Sequence, residues 1–85
     1  MGEPNSQQQE ALDELKDWII GRKSGLKDVG LDDDLIDTRL VDSVGFVEYI
    51  MLIEEVGDCE IAVDAGVIEK VRTLRGVLNH FLVDI

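Results

Sequence analysis

Asp42 and Ser43 are the adjacent residues in this chain whose types and placement could do chemistry. They stand directly before a largely apolar run, Val44 to Val56, which Gly57 closes. The apolar spacing in that run predicts a helix starting at the pair, with Asp42 as its capping residue. Ser43 then falls in the first turn, beside backbone N–H groups that have no carbonyl partner inside the helix. No general base lies near it in sequence, so its hydroxyl is a poor self-activated nucleophile. The same place suits a phosphate, because the helix dipole and the free N–H groups stabilise an anion. The local pattern leaves two readings open. Ser43 is a second capping residue, or it is the acceptor of a group attached through phosphate.

Other reactive side chains lack the companions their chemistry needs. The chain has one cysteine, Cys59, and one histidine, His80. Neither a disulfide nor a Cys/His nucleophile nor a zinc set can be assembled from them. Cys59 reads as a half-buried small residue and His80 as a partly buried structural one. The run Asp32-Asp33-Asp34 suggests calcium, but the register fails. A calcium loop begun at Asp32 has Ile36 at its fifth position, Asp37 where glycine is needed and Ser43 where a bidentate Glu is needed. No catalytic residue and no metal site is expected.

Composition narrows the partners. The 85 residues suit one domain, and the chain carries 19 acidic against 8 basic residues, a formal charge of −11. Nucleic acid and anionic membrane surfaces would be repelled. The expected partners are proteins with basic patches, drawn in by electrostatic steering. Met1-Gly2 followed by Ser6 formally fits a myristoylation pattern, but acidic Glu3 argues against it. No apolar run reaches the ~20 residues that span a bilayer. A monomer in the cytoplasm is the expectation.

The elements that must position Ser43 read as an all-α, four-helix bundle with a short third helix and a long ordered loop between helices 1 and 2. Residues 1–5 form a loose tail and residues 6–85 the domain. Ser6 with Gln9 suggests a capping box. The first helix runs to Arg22 or Lys23 on a stripe of Leu12, Leu15 and Ile19, widened by Ala11 and Trp18, and Gly25 ends it. Residues 24–42 lack a period, yet hold Leu26, Val29, Leu31, Leu35, Ile36, Leu40 and Val41, too many apolar groups for a solvated linker. The second helix ends at Val56 with Gly57 as its stop. Asp64 caps the third, which holds Val67, Ile68 and Val71. Thr73 caps the fourth, whose Leu74, Val77, Leu78, Phe81 and Leu82 follow a helical stripe.

The second helix carries apolar residues on two sides. Phe46, Tyr49, Ile50 and Ile53 make a core stripe, with Val47 beside it. Val44, Glu48, Met51 and Glu55 share another face, with Leu52 adjacent. Apolar groups bracketed by acids that are costly to bury read as a docking surface. The other reading makes this helix the most buried member of the bundle.

Residues 40–57 resemble the acyl carrier protein family. Asp42-Ser43-Val44 stands at the family's Asp-Ser-Leu/Met signature, and Ile53-Glu54-Glu55-Val56-Gly57 at its Glu-rich helix end. Glu60-Ile61-Ala62-Val63-Asp64 is similar to the segment before the family's short third helix. Arg72-Thr73-Leu74 with Leu78 and Phe81 resembles its last helix, and Trp18-Ile19 lies where the first would pack. The likeness covers residues 8–83 and implies a discrete carrier. By it, Ser43 accepts a 4′-phosphopantetheine arm from coenzyme A through a phosphopantetheinyl transferase. The arm's thiol bears an acyl or aminoacyl thioester, loaded by a ligase or transferase and delivered to downstream synthases. The carrier itself is no enzyme. Asp42, Val44, Glu48, Met51 and Glu55 fall on the family's partner-binding surface, and Ile50 and Ile53 would line a cargo cleft. Three features depart from the pattern. Gly45 stands where many fatty-acid carriers have an acid, the Glu-rich turn is one residue shorter, and Leu40-Val41 replaces the Gly-Gly of peptidyl carriers. Asp-Ser-apolar-Gly is more similar to carriers for D-alanine, other amino acids or specialised precursors. The alternative from another class is a small helical interaction module without a prosthetic group.

Overall fold

The computed structural model describes residues 3–23 and 25–85. Four helices follow in order: α1 (Ser6–Arg22), α2 (Ser43–Gly57), α3 (Val67–Val71) and α4 (Leu74–Phe81). Among the described residues there is no strand. The chain is thus all-α, a small four-helix bundle with a short third helix. No helix is long and apolar enough to cross a membrane among these residues. The Met1-Gly2 pattern lies outside the described residues.

Helix starts differ from expectation by one residue at α1. The cap is Asn5 and not Ser6: its side chain accepts from Gln8 N at 2.8 Å, and Gln8 Oε1 accepts from Asn5 N at 3.0 Å. Asn5 therefore belongs to the folded unit and not to a tail. Its amide also donates to the Ile85 carbonyl at 2.8 Å, and Gln8 Nε2 to that of Leu82 at 2.8 Å. These two bonds tie the start of α1 to the end of the chain. At α3, Asp64 accepts from Gly66 N and Val67 N at 2.9 and 3.1 Å, which turns the chain into a helix that begins at Val67. Thr73 caps α4 by accepting from Gly76 N at 3.0 Å.

Side chains from all four helices and the long loop meet in one core. Leu12, Leu15 and Ile19 of α1 bury against Tyr49, Ile50 and Ile53 of α2, Val67 and Val71 of α3, and Leu74 and Val77 of α4. The buried Tyr49 hydroxyl donates to the Val71 carbonyl at 2.9 Å, and burial raises its pKa further above the usual tyrosine value. Val47 is not part of this stripe: it is 63% exposed. It stands three residues from Val44 and four from Met51, so it shares their face. His80 is exposed as well.

The loop between α1 and α2 is ordered by burial and by ion pairs. Val29, Leu35 and Val41 are buried in the core. Leu35 N donates to the Arg72 carbonyl at 2.7 Å, and Arg75 N donates to the Leu31 carbonyl at 2.9 Å. The acids that suggested a cation instead hold arginines. Arg75 grips Asp32 through Nε at 2.6 Å, and Arg72 Nε donates to Asp34 at 2.9 Å. Asp34 also accepts from Ile36 N and Asp37 N at 3.0 and 2.9 Å. Those backbone donors first, with Arg72 behind them, hold its carboxyl below the usual range, and the Arg75 hydrogen bond does the same for Asp32.

Gly57 is the last residue of α2 and not its stop; the left-handed position is Asp58, with φ 50°. Glycine is needed at 57 for packing. A Cβ there would stand 2.9 Å from the Phe81 carbonyl oxygen. A Cβ at Gly21 in α1 would meet nothing within 4 Å. Gly21→Ala should therefore stabilise the protein by about 0.5–1 kcal/mol through helix propensity. Gly57→Ala should lose about 1–3 kcal/mol, because backbone must move. Urea unfolding followed by helical circular dichroism measures both.

The two depressed carboxyls also set an acid response. A carboxyl with a folded pKa below 3.8 binds its proton more readily when unfolded. Its stabilisation is complete well above that value and is lost as pH falls through the lower folded one. The urea midpoint should fall on acidification below about pH 4, and Asp32→Asn with Asp34→Asn should flatten that part of the profile.

Candidate functional site

Asp42 starts α2 where the sequence places it. Its backbone is extended, with φ −92° and ψ −179°, and its carboxylate accepts from Gly45 N at 2.7 Å. Ser43 is therefore the first helical residue. Its side chain is exposed and, among the described residues, makes no hydrogen bond. It sits at the positive end of the α2 dipole.

One side of Ser43 opens on an apolar hollow of about 320 Å³ lined by Ile36, Val41, Asp42, Ser43, Phe46 and Ile68. Three elements build it. Phe46 comes from the first turn of α2 and Ile68 from α3. Ile36 and Val41 come from the loop, where Asp34 holds Ile36 N and Val41 N donates to the Leu35 carbonyl at 3.0 Å. Arg72, by gripping Asp34, fastens this loop wall beside the end of α3. Ile50 and Ile53, expected to line a cleft, do not belong to this hollow. They are 4% and 0% exposed in the core, on the inner side of α2.

The other side of the α2 start faces α1 and is charged. Arg22, the last residue of α1, reaches over the first turn of α2. Its Nη2 donates to Asp42 Oδ1 at 3.2 Å, and its Nη1 lies 3.7 Å from Glu48 Oε2. The guanidinium carbon stands 4.8 Å above the Trp18 ring, a cation–π distance. Trp18 in turn stacks on Tyr49, with centroids 5.8 Å apart. Gly45 makes this crossing possible, since a Cβ there would stand 2.5 Å from Arg22 Nη2.

The outward face of α2 carries Val44 at 81% exposure and Met51 at 61%, with Glu48 and Glu55 also exposed. The face singled out by periodicity is on the surface, and Val47 widens it. Glu54 is different: its carboxylate accepts from Ile61 N at 2.8 Å and holds the loop after α2. Trp18, Glu48, Met51, Leu52 and Glu55 line a second hollow of about 280 Å³ between α1 and α2. Cys59 is half-buried near Glu54 and Ile61, and burial followed by Glu54 and Asp58 pushes its thiol pKa up.

Sequence reasoning missed Arg22, Ile36 and Ile68 as neighbours of the α2 start. The basic end of α1 was visible, but nothing local says which turn of α2 it crosses. No family model, curated protein or solved structure matches the chain.

Asp42 serves two partners through one carboxylate, and the one that sets the helix start does not need its charge. Asp42→Asn should keep the cap and unfold within a few tenths of a kcal/mol of wild type. Asp42→Ala should lose about 1 kcal/mol. Urea denaturation compares the two.

Proposed function

We propose that this protein is a discrete acyl or aminoacyl carrier that bears 4′-phosphopantetheine on Ser43. The observation that carries the reading is the setting of Ser43. It is an exposed hydroxyl at a helix start, with a polar anion-favouring helix end on one hand and an apolar hollow on the other. These residues fit a group that is anionic where it joins the protein and partly apolar beyond. The N–H groups of the first α2 turn would face the phosphodiester. Val41, Phe46, Ile36 and Ile68 would offer apolar contact to the pantetheine chain and its cargo.

In this reading Ser43 is an acceptor. Its Oγ forms a bond to the phosphorus of the phosphopantetheine unit, the diphosphate bond of coenzyme A breaks, and adenosine 3′,5′-bisphosphate leaves. The hydroxyl proton passes to the modifying enzyme. The bound arm supplies a thiol on which cargo rides as a thioester. The chain's own residues position the attachment point: Asp42 fixes the helix start, and the loop held by Arg72 fixes the apolar wall. Partners are the phosphopantetheinyl transferase, a loading ligase or transferase, and synthases that present basic residues to Asp42, Val44, Glu48, Met51 and Glu55. The formal charge of −11 supports partners with basic surfaces.

Incubation with coenzyme A, Mg²⁺ and broad-specificity phosphopantetheinyl transferases tests the reading. Intact-mass measurement should show one phosphopantetheine adduct on wild type and none on Ser43→Ala. No adduct with several transferases counts against the carrier and for the interaction module. An adduct on Ser43→Ala moves the attachment elsewhere.

A further inference from the structure

The walls of the hollow beside Ser43 are tied together beneath it. Phe46 of α2 and Ile68 of α3 both line the hollow. Three residues further along each helix, on the same side and one turn deeper, stand Tyr49 and Val71. The Tyr49 hydroxyl donates to the Val71 carbonyl at 2.9 Å, and both side chains are fully buried. The next carbonyl, that of Arg72, accepts from Leu35 N at 2.7 Å. Leu35 is also fully buried and directly precedes Ile36, the loop wall. Consecutive carbonyls at the end of α3 thus bind α2 and the loop under the hollow. From α1 the Trp18 ring stacks on Tyr49 at an interplanar angle of 12° and holds the phenol in place. Ile50 and Ile53 lie in the core, outside the hollow.

We infer that Tyr49 is a specificity-determining residue: its bond to Val71 closes the core to cargo, so the group carried beside Ser43 is a short acyl or aminoacyl group. A chain that pushes deeper between α2 and α3 must part the Tyr49 hydroxyl from its carbonyl. Both groups are then left buried without partners, which costs more than the first methylenes beyond the floor gain. The hollow therefore fills and does not deepen. At the roughly 30 Å³ that a water-sized group occupies, its 320 Å³ hold about ten such groups. The end of the arm, an amide and a thiol with their methylenes, takes part of that room. What remains suits a cargo of a few carbons, and a longer chain leaves its outer methylenes in water. That the occupant is cargo on an arm rests on the carrier reading; the closed floor does not.

A chain-length series tests it. Broad-specificity transferases load the protein from acetyl-, butanoyl-, hexanoyl- and decanoyl-coenzyme A, and Tm is measured for each product. Each methylene that finds a place should raise Tm by up to about 5 °C. In wild type the gain should stop by hexanoyl. Tyr49→Phe keeps the ring and removes only the hydroxyl, so there the gain should continue to decanoyl, whatever the variant's own starting Tm. A merely structural role for the hydroxyl lowers every Tm alike and leaves the length preference where it was; that result overturns the inference. So does a wild-type Tm that keeps rising to decanoyl. A second measurement uses the unmodified protein, with 1-octanol as a neutral probe and methyl NMR as the readout. Octanol should shift the methyl signals of Ile36, Val41 and Ile68 and leave those of Ile50 and Ile53 in place. Shifts at Ile50 or Ile53, or none at the three hollow residues, overturn the closed floor. Should Tyr49→Phe fail to fold by circular dichroism, the wild-type series and the octanol titration still decide. If wild type takes no arm at all, the carrier reading fails while the octanol titration still judges the floor.

Discussion

The carboxylate of Asp42 faces two ways. It accepts from Gly45 N, which sets where α2 begins, and from Arg22, which brings the end of α1 across that beginning. The crossing needs residue 45 to be small. A longer side chain there would displace the guanidinium, and Trp18 would lose the cation above its ring. The stack then continues inward, from Trp18 to Tyr49 and from the Tyr49 hydroxyl to the end of α3. One capping residue is thus joined, through short contacts, to three of the four helices.

The same crossing divides the surroundings of Ser43 by chemistry. Toward α1 lie charge and an aromatic ring, already paired with one another. Toward α3 and the loop lies an apolar hollow with little polar lining beyond Asp42 and Ser43 themselves. The loop wall of that hollow depends on acids that resemble a cation site in sequence but are engaged by arginines. Asp34 joins loop backbone to Arg72, and Asp32 joins the loop to Arg75. Exposed pairs of this kind contribute little stability one by one. Here they act together with buried Val29, Leu35 and Val41, so the loop is held by a hydrophobic anchor and aligned by charge.

Face assignments along α2 show how periodicity succeeds and where it fails. Tyr49, Ile50 and Ile53 were legible as core, because three or four residues bring a side chain back to one face. Val44 and Met51 were legible as a second face for the same reason. Val47 was misplaced beside the core stripe although its spacing from both Val44 and Met51 puts it with them. Apolar character says that burial would be favourable, not that another element is present to supply it. The expected glycine stop at Gly57 failed in a related way. Glycine marks either a left-handed turn or a close approach, and only the position of α4 shows that close approach is the reason here.

By itself the sequence determined the helical class, the approximate spans, the cap at Asp42, the first-turn place of Ser43 and the acidic character of α2. Each of these rests on residues within a few positions of one another, where side-chain chemistry and helical period suffice. The tertiary structure decided what surrounds Ser43. Arg22 comes from 21 positions before it, Ile36 from the loop and Ile68 from α3. Their approach depends on how helices of fixed length cross on a shared core, and no local pattern records that angle. The serine's own setting was written in its neighbours along the chain; the unlike character of its two sides was set by packing.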